Sequence, residues 1–211
     1  MGWPTRGSTS ALNNAIPVAY ISKIATYLYL SIAVQVVRVQ TCAMDQTVIT
    51  IRRARRADAA EIAAVHDAAW RDAYRGLIPG RELERMIARR GPQWWDAAIA
   101  RGSRLLVLDF ADSIGGYASY GRNRVPSLPH RGEVFELYLA PHFQGLGFGR
   151  RLFEAVRADL AEHGYPSLLV WALADNERAL GFYERLGGKQ VRCAPERFGT
   201  EMRERIAYGF E

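Results

Sequence analysis

The stretch that decides the fold is Pro141–Arg151, which reads PHFQGLGFGRR. Val134–Leu139 before it has the apolar character of a strand, and Arg150–His163 after it has the pattern of a helix. Glycine lets the backbone approach a ligand closely and adopts positive φ without strain. The free N–H groups at a helix N-terminus form a binding site for phosphate. The stretch therefore predicts a pyrophosphate-binding loop, and a glycine-rich turn without a ligand is the alternative.

Two common nucleotide-binding motifs do not fit this loop. The phosphate loop of kinases and ATPases requires a lysine after its last glycine, and this region has none. The dinucleotide fingerprint requires G-x-G-x-x-G near the start of a βαβ unit, whereas these glycines read G-x-G-x-G and lie late in the chain. What fits is Q-x-x-G-x-G, formed by Gln144, Gly147 and Gly149. This pattern resembles the acetyl-CoA loop of the GNAT superfamily of N-acetyltransferases.

A second segment carries the same resemblance. Residues 168–188 read LLVWALADNERALGFYERLGG, which predicts a short buried strand, a helix start at Asp175–Asn176 and a helix end at Gly187. The pattern N-x-x-A-x-x-F-Y-x-x-x-G is similar to the other CoA-contacting segment of the superfamily. It is formed here by Asn176, Ala179, Phe182, Tyr183 and Gly187. Both motifs occur in the expected order, with room between them for one helix and one strand.

The hydrophobic pattern places the remaining elements only coarsely. It predicts strands over residues 47–54, 105–109, 116–124, 133–139 and 203–210, and helices over 57–73 and 79–101 with a break at Gly91–Pro92. The stretch around Pro195 and Gly199 is predicted to be irregular. The resemblance supplies the arrangement: an α/β (α+β) fold with a mixed, largely antiparallel central sheet of about seven strands flanked by helices. It also implies a V-shaped cleft between strands 4 and 5.

Length and composition agree with one enzyme-sized domain. The chain has 211 residues, and its 28 basic and 22 acidic side chains give a net charge of +6, which is weak support for nucleic-acid binding. We expect no nucleic-acid partner. Two cysteines form neither a disulfide framework nor a metal cluster, so we expect no metal and a cytoplasmic location. The four histidines show no ligand spacing and are predicted to be surface or loop residues.

The N-terminal 46 residues do not resemble the superfamily, so we divide the chain into an extension, 1–46, and an acetyltransferase domain, 47–211. The segment Ala15–Val39 is long and apolar enough to span a bilayer, but Lys23 and Pro17 oppose a membrane helix. A membrane anchor is therefore the least favoured interpretation. A non-native or poorly ordered extension, with Met44 as the true start, and a packed accessory element are the others.

The resemblance implies which residues bind acetyl-CoA, the expected cosubstrate. The backbone of strand 4 would pair with the pantetheine arm, and Leu139 would supply the N–H that stabilises the oxyanion. The loop would bind the pyrophosphate, and Asn176 would bind the pantetheine arm or act as a helix N-cap. The full set of expected cofactor-binding residues is Leu137, Tyr138, Leu139, Ala140, Gln144, Gly145, Leu146, Gly147, Phe148, Gly149, Arg150, Asn176 and Tyr183.

The resemblance also implies a catalytic acid and a base. Tyr183 matches the residue that protonates the departing thiolate, and core packing is its alternative role. Glu133 matches the strand carboxylate that deprotonates the amine, and Glu136 is a second candidate. Because side chains alternate along a strand, these two glutamates are expected on opposite faces of the sheet. Each of them could instead be a solvent-facing residue.

The acceptor amine is not fixed by the sequence. Trp70 and Tyr74 share one helix face and are expected either to line the acceptor pocket or to pack in the core. The favoured function is acetyl transfer from acetyl-CoA to a small-molecule amine, a peptide N-terminus or a lysine, by direct attack in a ternary complex. A non-catalytic acyl-CoA-binding or sensing module is the alternative. Members of the superfamily often form dimers, so a homodimer is also allowed.

Overall fold

The computed structural model describes residues 49–111 and 113–211. The N-terminal extension, its apolar segment, Met44 and the predicted domain start at residue 47 lie outside these residues. In the part of the chain that is described, no helix is long and apolar enough to cross a membrane.

The centre of the domain is a mixed sheet of seven strands. In chain order they are β1 (Ile49–Arg53), β2 (Leu105–Phe110), β3 (Ser113–Arg122), β4 (Gly132–Leu139), β5 (Leu168–Leu173), β6 (Lys189–Phe198) and β7 (Glu201–Phe210). Their spatial order is β1-β2-β3-β4-β5-β7-β6. Only β4 and β5 are parallel, and the other neighbours are antiparallel. The predicted mixed, largely antiparallel α/β fold is therefore confirmed.

Helices cover both faces of the sheet. They are α1 (Ala59–Tyr74), α2 (Gly80–Ala88), α3 (Pro92–Ala100), α4 (Phe148–Glu162) and α5 (Glu177–Arg185). The predicted break at Gly91–Pro92 separates α2 from α3, because proline is well placed in a first helical turn. One core cluster joins α4 to the sheet through Leu152, Val156 and Leu160, and a second joins α1 and α3 to the opposite face.

The two parallel strands diverge and open the predicted cleft. β4 and β5 pair only at Gly132–Val134 with Leu168–Val170. Beyond Val134 the edge of β4 that faces β5 pairs with no strand among the described residues. The open edge lies directly before the glycine-rich loop, so backbone groups of β4 are available near the N-terminus of α4.

The two strand glutamates lie on the same side of the sheet, and the expectation that they face opposite sides is wrong. The register pairs Ser119 with Glu136 but Tyr120 with Val134, so Phe135 is an extra residue in β4. A bulge of this kind shifts the alternation of side chains by one position. As a result Glu133 and Glu136 line one cavity.

Two further predictions are corrected. The stretch around Pro195 is not irregular but forms β6, which pairs with β7 along its length. Because β6 is an edge strand, the missing N–H of Pro195 can be tolerated there. His66 is buried on the core-facing side of α1, so it is neither a surface nor a loop residue. His130 lies in a loop, as predicted, but is buried there.

Candidate active site

A cavity of about 550 Å³ lies in the cleft between the open edge of β4, the glycine-rich loop and α5. Most residues expected to bind the cosubstrate line it. They are Leu137, Tyr138, Leu139, Gln144, Gly145, Gly147, Gly149, Arg150, Asn176 and Tyr183. The structure thus brings two motifs that are distant in sequence to one place.

The glycine-rich loop ends in an unusual helix start. Gly145 has φ 76° and Gly147 has φ 82°, a region that only glycine adopts without strain. Gly147 is the N-cap of α4, and within residues 49–111 and 113–211 no side chain caps this end of the helix. The first backbone hydrogen bond of α4 runs from the N–H of Arg151 to the carbonyl oxygen of Gly147, at 3.2 Å. The preceding N–H groups are therefore free to bind an anion.

Gly149 allows a close approach between two helices. A Cβ at this position would lie 3.2 Å from the ring of Phe182 on α5 and 3.6 Å from Leu139. All three residues line the larger cavity. A side chain here would intrude on the helix contact and on the cavity floor.

Three of the expected cofactor residues do not line this cavity. Ala140 is buried, and its N–H donates to the oxygen of Gly115 at 2.9 Å. Leu146 points away and is 63% exposed, and Phe148 packs against the core beneath α4. Their presence in the motif reflects the backbone path of the loop rather than side-chain contact with the cavity.

The hydrogen bond of Ala140 fixes the orientation of the residue before it. N–H groups of successive residues in a strand point to opposite edges, and the N–H of Ala140 points toward β3. The N–H of Leu139 consequently points into the cleft. Its carbonyl oxygen, on the same edge, accepts a hydrogen bond from Nε2 of Gln144 at 3.2 Å.

A polar bridge at this cavity was not predicted from the sequence. Arg178 of α5 donates to Oε1 of Gln144 at 2.6 Å and forms an ion pair with Asp72 of α1 at 2.8 Å. All three residues line the larger cavity. The charged side chain of Arg178 inside the second motif could have indicated a polar contact, but its partner Asp72 lies 106 positions away in the sequence.

Tyr183 and Asn176 each make a structural contact and each also border the larger cavity. Tyr183 is 6% exposed, and burial raises the pKa of its phenol above the ordinary value. Its ring packs against Phe153 while the residue still borders the cavity. The side chain of Asn176 accepts a hydrogen bond from the N–H of Ala179 at 3.1 Å, so it caps α5 and also borders the cavity.

A second cavity of about 200 Å³ adjoins the first, and Tyr138 lines both. Trp70 and Tyr74, the residues expected at the acceptor pocket, lie in its wall with ring centroids 5.0 Å apart. The Tyr74 and Tyr138 hydroxyls are hydrogen-bonded at 2.6 Å. Glu133 and Glu136 complete this wall on the sheet side.

The two glutamates differ in their partners. Both oxygens of Glu133 are occupied by Arg124, whose backbone N–H and Nε donate to one and whose Nη2 donates to the other at 2.6 Å. Glu136 has Arg90 at 3.2 Å and the Ser119 hydroxyl at 3.4 Å. Burial raises the pKa of the Glu136 carboxyl above its ordinary value.

The described residues contain no group of three or more His, Cys, Asp or Glu side chains placed to hold a metal ion. The polar side chains that line the two cavities are instead amides, guanidinium groups, phenols, indoles and four carboxylates, those of Asp72, Glu133, Glu136 and Glu196. The amide and guanidinium donors suit a phosphorylated ligand, and the carboxylate acceptors suit an amine beside it.

Comparison with known proteins defines the class. The sequence pattern of the acetyltransferase (GNAT) family matches residues 62–188, which include the glycine-rich loop, the second motif and both glutamates. The chain belongs to this family.

Its relatives are N-acetyltransferases. The uncharacterized N-acetyltransferase YuaI of Bacillus subtilis is 29% identical over 143 residues, which cover 68% of this chain and 82% of YuaI. The probable N-acetyltransferase Rv2775 of Mycobacterium tuberculosis is 30% identical over 154 residues, covering 67% and 80%. The PaiA N-acetyltransferase from Thermoplasma acidophilum in complex with coenzyme A has the same fold, with a TM-score of 0.60 and 17% identity over 74% of this chain and 97% of that one.

Proposed function

We propose that this protein transfers an acetyl group from acetyl-CoA to a primary amine by direct attack in a ternary complex. The observation that carries the proposal is a pair of adjoining cavities that share Tyr138. The larger is lined by the glycine-rich loop and Tyr183, and the smaller is lined by three carboxylates and aromatic rings. This is the arrangement that acyl transfer between two bound substrates requires.

The residues of the larger cavity fit acetyl-CoA. The free N–H groups at the start of α4 suit its pyrophosphate, and Arg150 and Arg185 add positive charge to the cavity wall. The open edge of β4 at Leu137 and Leu139 offers backbone groups to the amides of the pantetheine arm. When bound, acetyl-CoA would supply the activated thioester.

Two groups would serve the acyl transfer directly. The N–H of Leu139 points into the cleft, where it can donate a hydrogen bond to the acetyl carbonyl oxygen. The phenol of Tyr183 is protonated at neutral pH, since its ordinary pKa is about 10 and burial raises that pKa further. It can therefore donate a proton to the departing sulfur.

A carboxylate in the smaller cavity would remove the proton of the acceptor ammonium. Glu133 occupies the position that the family resemblance indicates, but Arg124 already occupies both of its oxygens. Glu136 lies in the same wall with fewer donors around it. Either residue can reach an amine held between Trp70 and Tyr74, directly or through a water molecule.

The acceptor is a small amine or the end of a larger one. The smaller cavity, at about 200 Å³, has the volume of about seven water molecules. An N-terminus, a lysine side chain or a compact metabolite fits this volume, and the rest of a larger acceptor would lie outside it. We assign the activity to a domain of residues 47–211 that works in the cytoplasm, where acetyl-CoA is available. Residues 1–46 are an extension outside this domain, either non-native or accessory. A homodimer is compatible with this assignment.

The test measures acetyl-CoA binding by calorimetry and thiol release with a panel of amines, amino acids, polyamines, aminoglycosides and peptides on the full chain. We expect tight binding of acetyl-CoA and CoA release with one class of acceptor. Binding without turnover would favour a non-catalytic acyl-CoA-binding module. No binding would overturn the proposal.

A matched pair of variants controls the binding measurement. Gly147 and Gly164 both have φ near 80°, and neither has an atom within 4 Å of an added Cβ. Only Gly147 lines the larger cavity. Gly147→Ala should weaken acetyl-CoA binding, whereas Gly164→Ala should cost similar stability and leave binding unchanged. Equal effects of both substitutions on binding would mean that the loop does not hold the ligand.

A further inference from the structure

The smaller cavity has an arginine on its solvent side. Arg124 lies just after β3, in the loop that leads to β4, and its side chain lines the cavity. This side chain is 63% exposed, whereas that of Glu133 beside it is 2% exposed. Arg124 therefore lies where the cavity opens toward solvent, within reach of an acceptor that enters it.

Contacts with two neighbours fix the guanidinium plane of Arg124. Its Nε and Nη2 donate to the two carboxylate oxygens of Glu133 at 3.2 and 2.6 Å. Its Cζ atom lies 4.0 Å from the centroid of the Phe135 ring, so the guanidinium group stacks on that ring. An arginine without such contacts would lose side-chain entropy when it bound a ligand. Arg124 has already lost much of this freedom in the fold itself.

The loop that carries Arg124 is fixed as well. The backbone N–H of Arg124 donates to the carboxylate of Glu133 at 2.8 Å. The side chain of Asn123 accepts a hydrogen bond from the N–H of Val125 at 2.7 Å and donates one to the carbonyl oxygen of His130 at 2.7 Å. Asn123 thus ties the two ends of the loop together. Both the backbone and the side chain of Arg124 are held in one position.

One edge of the guanidinium group of Arg124 is not part of these contacts. An arginine has five N–H donors, and the bonds to Glu133 use the edge formed by Nε and Nη2. The other edge, formed by Nη1 and the second N–H of Nη2, presents two parallel donors. Two parallel donors match the two oxygens of a carboxylate. This edge is therefore a preorganised receptor for a carboxylate group.

The charges around the cavity favour an acceptor without net charge. Each carboxylate that lines the cavity in the described part of the chain has an arginine as its partner. The pairs are Glu133 with Arg124 at 2.6 Å, Glu196 with Arg205 at 2.5 Å and Glu136 with Arg90 at 3.2 Å. A diamine would bring two further positive charges to this balanced wall. A molecule with one ammonium and one carboxylate would add no net charge.

We propose that the acceptor is an amino acid or a similarly compact amino carboxylate, whose carboxylate is bound by Arg124 while its amine lies near Tyr138. The proposal rests on the proposed acetyl transfer. Phe135, on which Arg124 stacks, is three residues from Tyr138 on β4, or about 10 Å, and Tyr138 borders both cavities. A molecule of amino-acid size can reach across that distance. Glu133 is then a positioning residue that holds Arg124.

The first test compares acceptors that differ only in the carboxylate. α-Amino acids and straight-chain ω-amino acids are each paired with their carboxamides, and kcat/KM is measured for the full chain with acetyl-CoA. Because the carboxamide loses a bidentate, charge-assisted contact, we expect the acid to be preferred by about 10- to 100-fold. Arg124→Gln should remove this preference. A native protein that uses acid and carboxamide equally, or that prefers diamines, would overturn the proposal.

Two variants separate recognition of the carboxylate from other effects. Arg122→Gln removes the same charge two positions away, at an exposed side chain that lines neither cavity, and should keep the preference. Glu133→Gln should lower the preference, mainly through KM, because Arg124 is no longer held. A glutamate that acted only in proton transfer would slow acid and carboxamide by the same factor. An equal loss of preference in Arg122→Gln and Arg124→Gln would overturn the proposal, and an unchanged preference in Glu133→Gln would overturn the positioning role.

The second test does not depend on turnover. Calorimetry of each acid and its carboxamide against the full chain saturated with CoA, which carries no acetyl group, measures binding alone. We expect at least one acid to bind about tenfold more tightly than its carboxamide, and Arg124→Gln to remove that difference. If no acid binds more tightly than its carboxamide, the proposal is overturned. If an acid binds as expected but no acceptor is turned over, the recognition by Arg124 stands and the proposed function fails separately.

Discussion

Glu133 and Glu136 of the smaller cavity should have opposite effects on stability when each is changed to glutamine. Glu133 is 1% exposed and accepts three hydrogen bonds from Arg124, at 2.8, 3.2 and 2.6 Å. In Glu133→Gln one oxygen becomes an NH₂ group that cannot accept, and the remaining bonds lose the help of the negative charge. Hydrogen bonds to a charged group are worth about 1.5–3 kcal/mol and neutral ones about 1 kcal/mol.

The net cost of Glu133→Gln is lower than the sum of the lost bonds. The Arg124 side chain is 63% exposed, so water can replace part of what it loses. We therefore expect Glu133→Gln to lower the free energy of unfolding by about 2 kcal/mol. For a domain of this size, that corresponds to a fall in Tm of about 4–8 °C.

Glu136 should behave in the opposite way. Burial raises the pKa of its carboxyl in the folded state, so the folded protein favours the protonated form. The contribution of Glu136 to stability is therefore fully present below its unfolded pKa, about 4.3, and is lost as the pH rises through the folded value. Glutamine resembles the protonated form, so Glu136→Gln should unfold at the same or a higher temperature than the native protein at pH 7. The advantage should disappear near pH 4.

Thermal unfolding at several pH values between 4 and 8 tests both expectations, and urea titration at pH 7 gives the free energies. The reasoning would be refuted if Glu136→Gln lost several degrees at pH 7 while Glu133→Gln did not. That result would mean that the charge of Glu136 stabilises the fold and that the contacts of Arg124 with Glu133 contribute little.

Three further expectations concern separate parts of the site. Gly149→Ala places a methyl group 3.2 Å from the Phe182 ring and should weaken acetyl-CoA binding by about tenfold in calorimetry, whereas Gly80→Ala, in open space, should not. The pKa of His66 is lowered to about 3 in the folded protein, so acid protonates this histidine in the unfolded state first. Between about pH 6 and pH 4 the free energy of unfolding of the native protein should therefore fall by about 1.4 kcal/mol per pH unit more than that of His66→Asn, as measured by urea titration. Tyr74→Phe removes the hydrogen bond to the Tyr138 hydroxyl and should raise KM for the acceptor. The dissociation constant of acetyl-CoA should stay unchanged. Equal changes in the two constants would contradict binding in separate cavities.

Local signals made part of this structure predictable from the sequence. Positive φ at Gly145 and Gly147 requires glycine, and the cap at Asn176 requires a short polar side chain, so both motifs follow from residue chemistry. The break at Gly91–Pro92 has the same origin. The sheet order came from the family resemblance instead, because hydrophobic periodicity does not report which strands are neighbours.

Long-range packing made the rest inaccessible. The bulge at Phe135 depends on how β3 and β4 pair, and it reverses the face on which Glu136 lies. The burial of His66 depends on Trp95 and Tyr117, which arrive from α3 and β3. The sequence around His66 does not indicate either partner. A strand at Pro195 likewise becomes acceptable only because β6 is at the sheet edge.

The most direct test of acetyl transfer at this site is single-turnover thiol release by Tyr183→Phe, with Tyr208→Phe as the matched control. Both tyrosines are buried and their rings are 6.1 Å apart, but only Tyr183 lines the larger cavity. The proposed role predicts that Tyr183→Phe lowers the rate by about 100-fold or more with acetyl-CoA binding intact, while Tyr208→Phe stays near the native rate. A Tyr183→Phe variant that releases thiol at the native rate would contradict the account.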